Sequence, residues 1–210
     1  MDLVIVGTGG HAKEVAFLLE RQTEFTLVGF VDDNSEMASK HIYSRPVIGD
    51  VNTLLKIKRK TAIVIGIAHP IVKKKIYLKL KKNRQLFYPN LIDETALIGH
   101  NVELGMGNIL MAYSTYTSDI IIGHFNMLNI GTTIGHDAII GDFNAFFPNN
   151  NLSGNVNVGH NNEFGVGTKV IQKISIGNEN IFGAGSVVIR DIQDKSKNVG
   201  VPTKKIESWE

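Results

Sequence analysis

The sequence contains one histidine that is followed directly by an acidic residue, in the pair His136-Asp137. A carboxylate bonded to one ring nitrogen of a histidine fixes the tautomer and raises the basicity of the other nitrogen, which suits a general base. The chain has no cysteine, which excludes a thiolate nucleophile, a thiolate metal site and a disulfide framework. No serine or threonine nucleophile paired with a base is visible. We therefore expect catalysis to proceed through an activated acceptor, with His136 as its base.

A second chemical motif lies near the start of the chain, where Gly7-x-Gly9-x-x-Ala12 follows an apolar strand and opens a helix. Such glycines let a backbone approach a phosphate, and the helix N-terminus supplies N–H donors and a positive dipole. Asp32 follows the second strand, where an acidic group would meet a ribose or a base. The alternative is a tight strand–helix turn that binds nothing. A dinucleotide dehydrogenase is less attractive, because only half of a Rossmann unit precedes the next region, and this half suits a nucleotide-sugar better.

A hexapeptide repeat in the second half of the chain must position His136. Every sixth residue from Ile98 to Val188 is aliphatic or aromatic. Six is the period of a parallel β-helix rather than of an α-helix or an ordinary strand. Glycine and asparagine recur every 18 residues within this repeat, so three hexapeptides form one coil of a triangular prism. The fifth positions of other hexapeptides form a further apolar column, in which we expect Ile192 to lie beside Ile174. The two polar columns are Gly105, Gly123, Gly141, Gly159 and Gly177, and Asn108, Asn126, Asn144, Asn162 and Asn180.

The four histidines of the prism all occupy the third position of their hexapeptides, so each of them is also open to the simpler interpretation of an outward-facing residue. At a period of 18, His100 and His136 share one face, and His124 and His160 share another. We do not expect a metal site, because two faces divide the histidines and no cluster of carboxylates assists them.

The first half of the chain alternates predicted strands and helices, which indicates a parallel α/β unit. Strands are predicted at 3–6, 25–31, 47–48 and 62–66, and helices at 13–20, 51–58 and 70–84. The last helix carries seven basic residues from Lys73 to Arg84. We interpret them as a solvated face and expect no nucleic acid as a partner. Its predicted apolar side is formed by Ile71, Val72, Ile76 and Leu80.

Composition supports a division into two domains. The chain has 210 residues and a net charge of +2, but its basic excess lies in the first half, and 14 of its 21 glycines lie within residues 98–193. We predict domains at 1–88 and 89–193 and a capping tail at 194–210. The start lacks a basic segment typical of a signal peptide, and no apolar run is long enough to span a bilayer. We therefore expect a cytoplasmic protein without a membrane partner.

Several of these motifs together resemble one family. The Gly9-Gly10-His11 loop, the Asp32-Asp33 pair, the uninterrupted repeat containing Ile134-Gly135-His136-Asp137 and the closing segment 200–204 are similar to sugar acetyltransferases of the sialic-acid O-acetyltransferase and bacillosamine N-acetyltransferase type. The resemblance covers nearly the whole chain. It implies an N-terminal half-Rossmann α/β domain followed by an all-β left-handed parallel β-helix.

The resemblance also implies partners and site residues. Acetyl-CoA would be the co-substrate, a nucleotide-sugar the acceptor, and a homotrimer would form its active sites between subunits, with no metal. His136 would deprotonate the acceptor, Asp137 would orient it, and the backbone N–H of Gly154 would stabilise the thioester oxyanion. The remaining expected contacts are Val166, Gly183, Ala184 and Gly185 with CoA, and Gly9, Gly10, His11, Asp32, Asp33 and Gly66 with the nucleotide-sugar.

One residue departs from the family pattern. Ala145 follows Gly141-Asp142-Phe143-Asn144 at a position where the family usually has a second histidine. The leading interpretation is an acetyl-CoA-dependent N-acetyltransferase acting on the 4-amino group of a nucleotide-linked amino-deoxy sugar. The enzymatic alternative is an O-acetyltransferase of sialic acid or a related sugar. The non-enzymatic alternative, kept open by Ala145, is a nucleotide-sugar sensor or a structural trimer.

Overall fold

The structure is a computed structural model that describes all 210 residues, and it divides into two compact units, Met1–Pro89 and Asn90–Glu210. None of its helices is long and apolar enough to cross a membrane.

The first unit is an α/β domain built on one six-stranded sheet. The strand order is β3-β4-β2-β1-β5-β6, and every neighbouring pair is parallel except β3 with β4. The expected alternation of strands and helices is confirmed. Its elements are β1 (Asp2–Val6), α1 (Gly10–Leu19), β2 (Thr26–Val31), β3 (His41–Ile42), β4 (Arg45–Gly49), α2 (Val51–Leu55), β5 (Thr61–Ile65), α3 (Pro70–Leu80) and β6 (Leu86–Phe87).

The prediction for the basic helix is confirmed at Leu80 but wrong at two positions, because Val72 is exposed and Lys73, expected on a solvated face, is buried. Helix α3 ends at Leu80 and buries Pro70, Lys73 and Leu80, whereas Val72 is 41% exposed. The buried positions Pro70, Lys73 and Leu80 have the i, i+3, i+10 spacing of one helix face. Burial lowers the pKa of the Lys73 ammonium to about 7.

The second unit is a left-handed parallel β-helix with three faces. The first face contains β7 (Leu91–Ile92), β10 (Ile109–Leu110), β13 (Met127–Leu128), β16 (Ala145–Phe146), β19 (Glu163–Phe164), β22 (Ile181–Phe182) and β24 (Ser196–Val199). The second face contains β8 (Leu97–Ile98), β11 (Thr115–Tyr116), β14 (Thr133–Ile134), β17 (Asn151–Leu152), β20 (Lys169–Val170) and β23 (Val187–Val188). The third face contains β9 (Val102–Leu104), β12 (Ile120–Ile122), β15 (Ile139–Ile140), β18 (Asn157–Val158) and β21 (Ser175–Ile176).

The strands of each face stack in register at intervals of 18 residues, as in the pairing of Thr133 with Asn151 and of Asn151 with Lys169. We call the turn between the first and second faces the first corner, that between the second and third faces the second corner, and that between the third and first faces the third corner. Like residues therefore lie above like residues at every corner.

The interior of the β-helix is filled by stacked side chains. The rings of Phe146, Phe164 and Phe182 are stacked with centroids 4.5 and 4.7 Å apart. The asparagine column is buried beside them. The Asn144 side chain donates to Asn126 Oδ1 at 3.1 Å and accepts from the backbone N–H of Asn162 at 2.9 Å. Each asparagine of the column thereby accepts a buried backbone N–H of the next coil.

The last coil departs from the 18-residue period. Ile192 was expected to lie with Ile174, but it pairs with Ile176 on the third face. The second corner is two residues shorter in this coil, because Val188 still pairs with Val170. Strand β24 then adds a last rung to the first face, and β25 (Lys204–Ser208) returns antiparallel to it.

Candidate active site

His136 and Asp137 lie in the second corner, between β14 and β15. His136 Nδ1 is 2.6 Å from Asp137 Oδ2, and both side chains are more than half exposed. Asp137 has a φ of 57°, in the left-handed region, and its N–H donates to the carbonyl of Ser118 one coil earlier. This conformation turns the carboxylate back towards the preceding ring, which neighbouring residues in an extended strand cannot do. The carboxylate therefore accepts from Nδ1–H and leaves Nε2 as the basic nitrogen.

Gly154 occupies the same corner one coil after His136. A β carbon on Gly154 would lie 2.5 Å from both Cε1 and Nε2 of the His136 ring. The backbone N–H of Gly154 makes no hydrogen bond within the chain, whereas that of its neighbour Asn155 donates to the carbonyl of His136 at 2.7 Å. The structure thus brings together a basic nitrogen and a free backbone donor, which are the groups that acyl transfer needs.

The histidines of the third corner have a structural role. The backbone N–H of Met106 donates to His124 Nδ1 at 3.0 Å, and that of Asp142 donates to His160 Nδ1 at 2.8 Å. In the other coils of this corner, Asp142 and Asn178 accept the N–H of the preceding coil with a side-chain oxygen. Both ring Nδ1 atoms are occupied by these bonds. No group of three or more histidine, aspartate or glutamate side chains is arranged to hold a metal ion.

The residues expected to contact CoA lie together in the first corner. The N–H of Gly185 donates to the carbonyl of Val166 at 2.8 Å, and Gly183 and Ala184 precede it in the same turn. The side chain of Val166 is 47% exposed. The first and second corners bound opposite ends of the second face, so the structure does not bring these residues to His136 within one chain.

In the α/β unit, the glycine loop leads into α1 as expected. Gly9 is the N-cap residue, no side chain caps the helix, and its first turn has no acidic residue. No atom would lie within 4 Å of a β carbon on Gly9 or Gly10. The first N–H groups of the helix are therefore accessible, and the helix dipole adds positive potential there.

His11 lies in the first turn of α1 with its side chain 9% exposed. Its Nδ1 is 3.2 Å from Glu14 Oε2, and its Nε2 is buried without a hydrogen-bond partner. Burial lowers the pKa of the His11 imidazole, and Glu14 opposes this effect only in part. The lowered pKa favours the neutral imidazole, and its Nε2 lies buried within the α/β unit.

The acidic pair after β2 is held by hydrogen bonds. Asp32 accepts from the Thr8 hydroxyl at 2.6 Å and from the N–H of Asn34 at 2.9 Å, and Asp33 accepts from the N–H of Val51 at 2.9 Å. Thr8 was not predicted as a site residue from the sequence, although its position between Gly7 and Gly9 in the glycine loop could have indicated it. The pair therefore has fixed positions beside the glycine loop.

Gly66 follows β5 and lies against α1. A β carbon there would lie 2.9 Å from the α carbon of Ala12. This close approach of the helix to the sheet is sufficient to require glycine at this position.

Comparisons with known proteins extend this description. The family model for the PglD N-terminal domain matches residues 2–80. No curated protein matches the chain at a significant level. Several solved structures are similar over almost the whole chain.

A histidine-to-asparagine mutant of perosamine N-acetyltransferase from Caulobacter crescentus, in complex with CoA and GDP-perosamine, is 30% identical with a TM-score of 0.92, and the match covers 99% of this chain and 98% of that chain. PerB from the same organism, also with CoA and GDP-perosamine, is 31% identical with a TM-score of 0.90 over the same shares. The acetyltransferase domain of PglB from Neisseria gonorrhoeae is 26% identical with a TM-score of 0.87, over 98% of this chain and 99% of that chain. The fold, the corner that holds His136 and these matches together show that the chain belongs to the hexapeptide-repeat sugar acetyltransferases of the PerB, PglB and PglD type.

Proposed function

We propose that this protein is an acetyl-CoA-dependent N-acetyltransferase that acts on the 4-amino group of a nucleotide-linked amino-deoxy sugar. The observation that carries the proposal is the second corner, where His136, oriented by Asp137 at 2.6 Å, lies against the unpaired N–H of Gly154. Similar structures hold CoA and GDP-perosamine, which supports both substrate classes.

The groups at this corner suit direct transfer. Acetyl-CoA supplies an electrophilic acetyl group in a thioester. His136 Nε2 accepts the proton that the acceptor nitrogen loses as the N–C bond forms, and Asp137 stabilises the resulting imidazolium. The N–H of Gly154 stabilises negative charge on the acetyl oxygen before the C–S bond breaks. His136 then returns the proton to the leaving sulfur, so that the products are the N-acetyl sugar and CoA.

The α/β unit suits the nucleotide end of the acceptor. The uncapped start of α1 at Gly9, Gly10 and His11 offers N–H donors to a diphosphate. Asp32 and Asp33 have carboxylate oxygens fixed beside the loop for the ribose or the base. Gly66 belongs to the same edge of the sheet, at the end of β5.

The complete site uses more than one chain in this proposal. Val166, Gly183, Ala184 and Gly185 lie in the first corner and His136 in the second, at opposite ends of the second face. A CoA molecule that contacts both sets needs the first corner of one chain beside the second corner of another. A homotrimer of a three-faced prism provides this arrangement three times over.

The experiment compares the wild type with His136→Ala in an assay of acetyl transfer from acetyl-CoA to a nucleotide-linked 4-amino sugar. Loss of the base should lower kcat by about 10²–10⁴ while the Kd of CoA changes little. A variant that keeps nearly full activity would remove His136 from the mechanism. Absence of CoA binding by the wild type in calorimetry would favour a non-catalytic sensor.

The O-acetyltransferase alternative rests on Ala145. This residue is fully buried on the first face and lacks a hydrogen-bonding side chain to meet an amine or a thioester. Free sialic acid and UDP-, dTDP- and GDP-linked 4-amino sugars offered in parallel separate the two activities. Acetylation of sialic acid alone would replace the N-acetyltransferase assignment.

A further inference from the structure

The α/β unit ends in a long segment without acidic residues. Residues 51–89 contain eleven lysine and arginine residues and no aspartate or glutamate, which is half of the 22 basic residues of the chain. Helices α2 and α3 of this segment contact each other. The Asn83 side chain, just after α3, donates to the carbonyls of Leu54 and Ile57 at the end of α2, at 3.0 Å each. These bonds hold the basic ends of the two helices side by side, so their charges form one surface.

Most of the cations on this surface have no anionic partner. Arg59 forms an ion pair with Asp2 at 2.6 Å, the Lys60 ammonium lies 5.3 Å from the centroid of the Phe87 ring, and Lys73 is buried. The exposed cations that form no ion pair are Lys56, Lys58, Lys75, Lys81, Lys82 and Arg84. A surface with this many unpaired cations carries a positive potential and attracts an anionic partner.

The outer face of α3 combines these charges with apolar side chains. We call it the basic face, and its residues, which recur on the outward side of the helix, are Val72, Lys75, Leu78, Lys79 and Lys82. The Val72 side chain is 41% exposed and that of Leu78 is 43% exposed. Leu55, at the end of α2, is 37% exposed. Burial within the chain therefore does not account for these aliphatic residues.

Exposed aliphatic side chains between lysines favour a lipid surface over a nucleic acid. Anionic headgroups attract lysines without a defined geometry, and aliphatic side chains on the same face enter the boundary between headgroups and acyl chains. Binding of single-stranded nucleic acid uses exposed aromatic rings for stacking. The one aromatic ring of α3, that of Tyr77, packs edge-on against Tyr88 with centroids 5.2 Å apart. The basic face thus offers a bilayer both charge and apolar contacts, but offers bases no ring.

The basic turns and the glycine loop lie at opposite edges of the sheet. Strands β1, β5 and β6 are parallel. The glycine loop follows the end of β1, whereas Lys58 precedes the start of β5 and Arg84 precedes the start of β6. A partner at the basic turns therefore does not compete with a nucleotide at the loop.

We propose that the basic face of α3, together with the turns that follow α2 and α3, binds the surface of a membrane that contains anionic lipids. The contact is peripheral, since no helix is long and apolar enough to cross a bilayer. It replaces the expectations of a merely solvated helix face and of a protein without a membrane partner. It goes beyond the proposed acetyl transfer and does not depend on it, because no residue of the second corner or the glycine loop takes part.

The test measures co-sedimentation with vesicles of phosphatidylcholine alone and of phosphatidylcholine mixed with phosphatidylglycerol. The wild type should bind only the mixed vesicles, and about 1 M salt should release it, because the Debye length is then about 3 Å. Lys75→Gln/Lys79→Gln/Lys82→Gln should lower the partition coefficient by about 10²-fold, since each lysine near an anionic surface contributes about fivefold. The matched control, which removes three exposed lysines of the other unit and should bind like the wild type, is Lys173→Gln/Lys204→Gln/Lys205→Gln.

Leu78→Gln distinguishes a lipid surface from another polyanion. It should lower binding to the mixed vesicles by about tenfold, because the leucine no longer leaves water, and it should not change binding to double-stranded DNA. The unfolding midpoints of all variants should match that of the wild type, because none of the replaced side chains is buried.

Three results would overturn the inference. The first is a wild type that does not bind the mixed vesicles, and the second is an equal loss of binding in the α3 triple variant and its control. The third is tighter binding to DNA than to the mixed vesicles, with Leu78→Gln affecting neither, which would assign the surface to nucleic acid. Each of them would leave the proposed acetyl transfer untouched, because that activity is measured without vesicles.

Discussion

The His136 ring lies so close to Gly154, one coil along the β-helix, that a β carbon on Gly154 would come within 2.5 Å of Nε2. The φ angle of Gly154 lies outside the left-handed region, so backbone conformation alone does not require glycine there. The ring therefore imposes glycine at this corner. This contact also places the Gly154 backbone beside the nitrogen proposed to accept the proton.

Gly154→Ala is expected to displace the His136 ring from its place against the corner. Because a shift of about 1 Å at a reacting group costs on the order of 10²-fold, kcat/KM should fall by that amount with little change in the unfolding midpoint. In a double-mutant cycle, Gly154→Ala should have no further effect in the His136→Ala background. Additive losses would show that Gly154 acts independently of the ring.

Asp137→Asn is expected to lower kcat by about 10–10³-fold, because the amide no longer stabilises the imidazolium that forms on His136. Asp119→Asn is the matched control, since Asp119 occupies the same corner position one coil earlier and accepts from the Asn101 side chain. Steady-state kinetics should show loss only for the first variant. Equal losses in both would point to disruption of the corner rather than of the catalytic pair.

The hydrogen bonds of the third corner predict which replacement of His160 is tolerated. His160→Ala leaves the N–H of Asp142 without its acceptor and should lower the free energy of unfolding by about 1 kcal/mol. His160→Asn should restore most of that loss, because Asn178 performs the same task in the next coil. Chemical denaturation measures both variants. Acetyl transfer reduced in both to the level of His136→Ala would instead assign His160 to catalysis.

Asn144→Ala is expected to lower the free energy of unfolding by about 2–4 kcal/mol, since it leaves the buried N–H of Asn162 without its acceptor and removes the bond that the Asn144 side chain donates to the carbonyl of Gly159. Asn157→Ala, on an outward position of β18, should change it by less than about 0.5 kcal/mol. Equal small effects in denaturant titrations would argue against a stabilising asparagine column.

Acidification is expected to destabilise the α/β unit through His11. Burial lowers the pKa of this imidazole in the folded chain below its ordinary value of 6.5, so the unfolded chain binds the proton more tightly. The contribution of His11 to stability is therefore complete above about pH 6.5 and is lost as the pH falls through the lower folded value. Calorimetric unfolding from pH 8 to pH 5 should show this loss, and His11→Gln should reduce it. An unchanged pH dependence in the variant would contradict the assignment.

The sequence was informative where a physical requirement repeats. Each coil buries its apolar residues and its asparagine only against the neighbouring coils, so every coil needs the same residue types. The period of 18 residues could therefore be recognised in the sequence alone. The prediction failed where the repeat stops. The two residues missing before Ile192 moved it from the column of Ile174 to that of Ile176, and nothing in the chain order marks where that corner shortens.

The buried faces of single helices in the α/β unit were harder to predict from the sequence than the repeat. On α3, Leu80 is buried as predicted, but Val72 is exposed and Lys73 is buried in its place. A helix of eleven residues contains only about three turns, so a few apolar residues do not fix which face is buried.

The order of residues by itself determined the two-part architecture, the β-helix and the pairing of His136 with an acid, since all three depend on composition, period or adjacency along the chain. Only the tertiary structure decided which groups meet: the ring of His136 with Gly154, and Asp32 with Thr8. These contacts join residues 18 and 24 positions apart. Their distances depend on how many residues each corner contains and on where the chain turns back, which are properties of the folded coil.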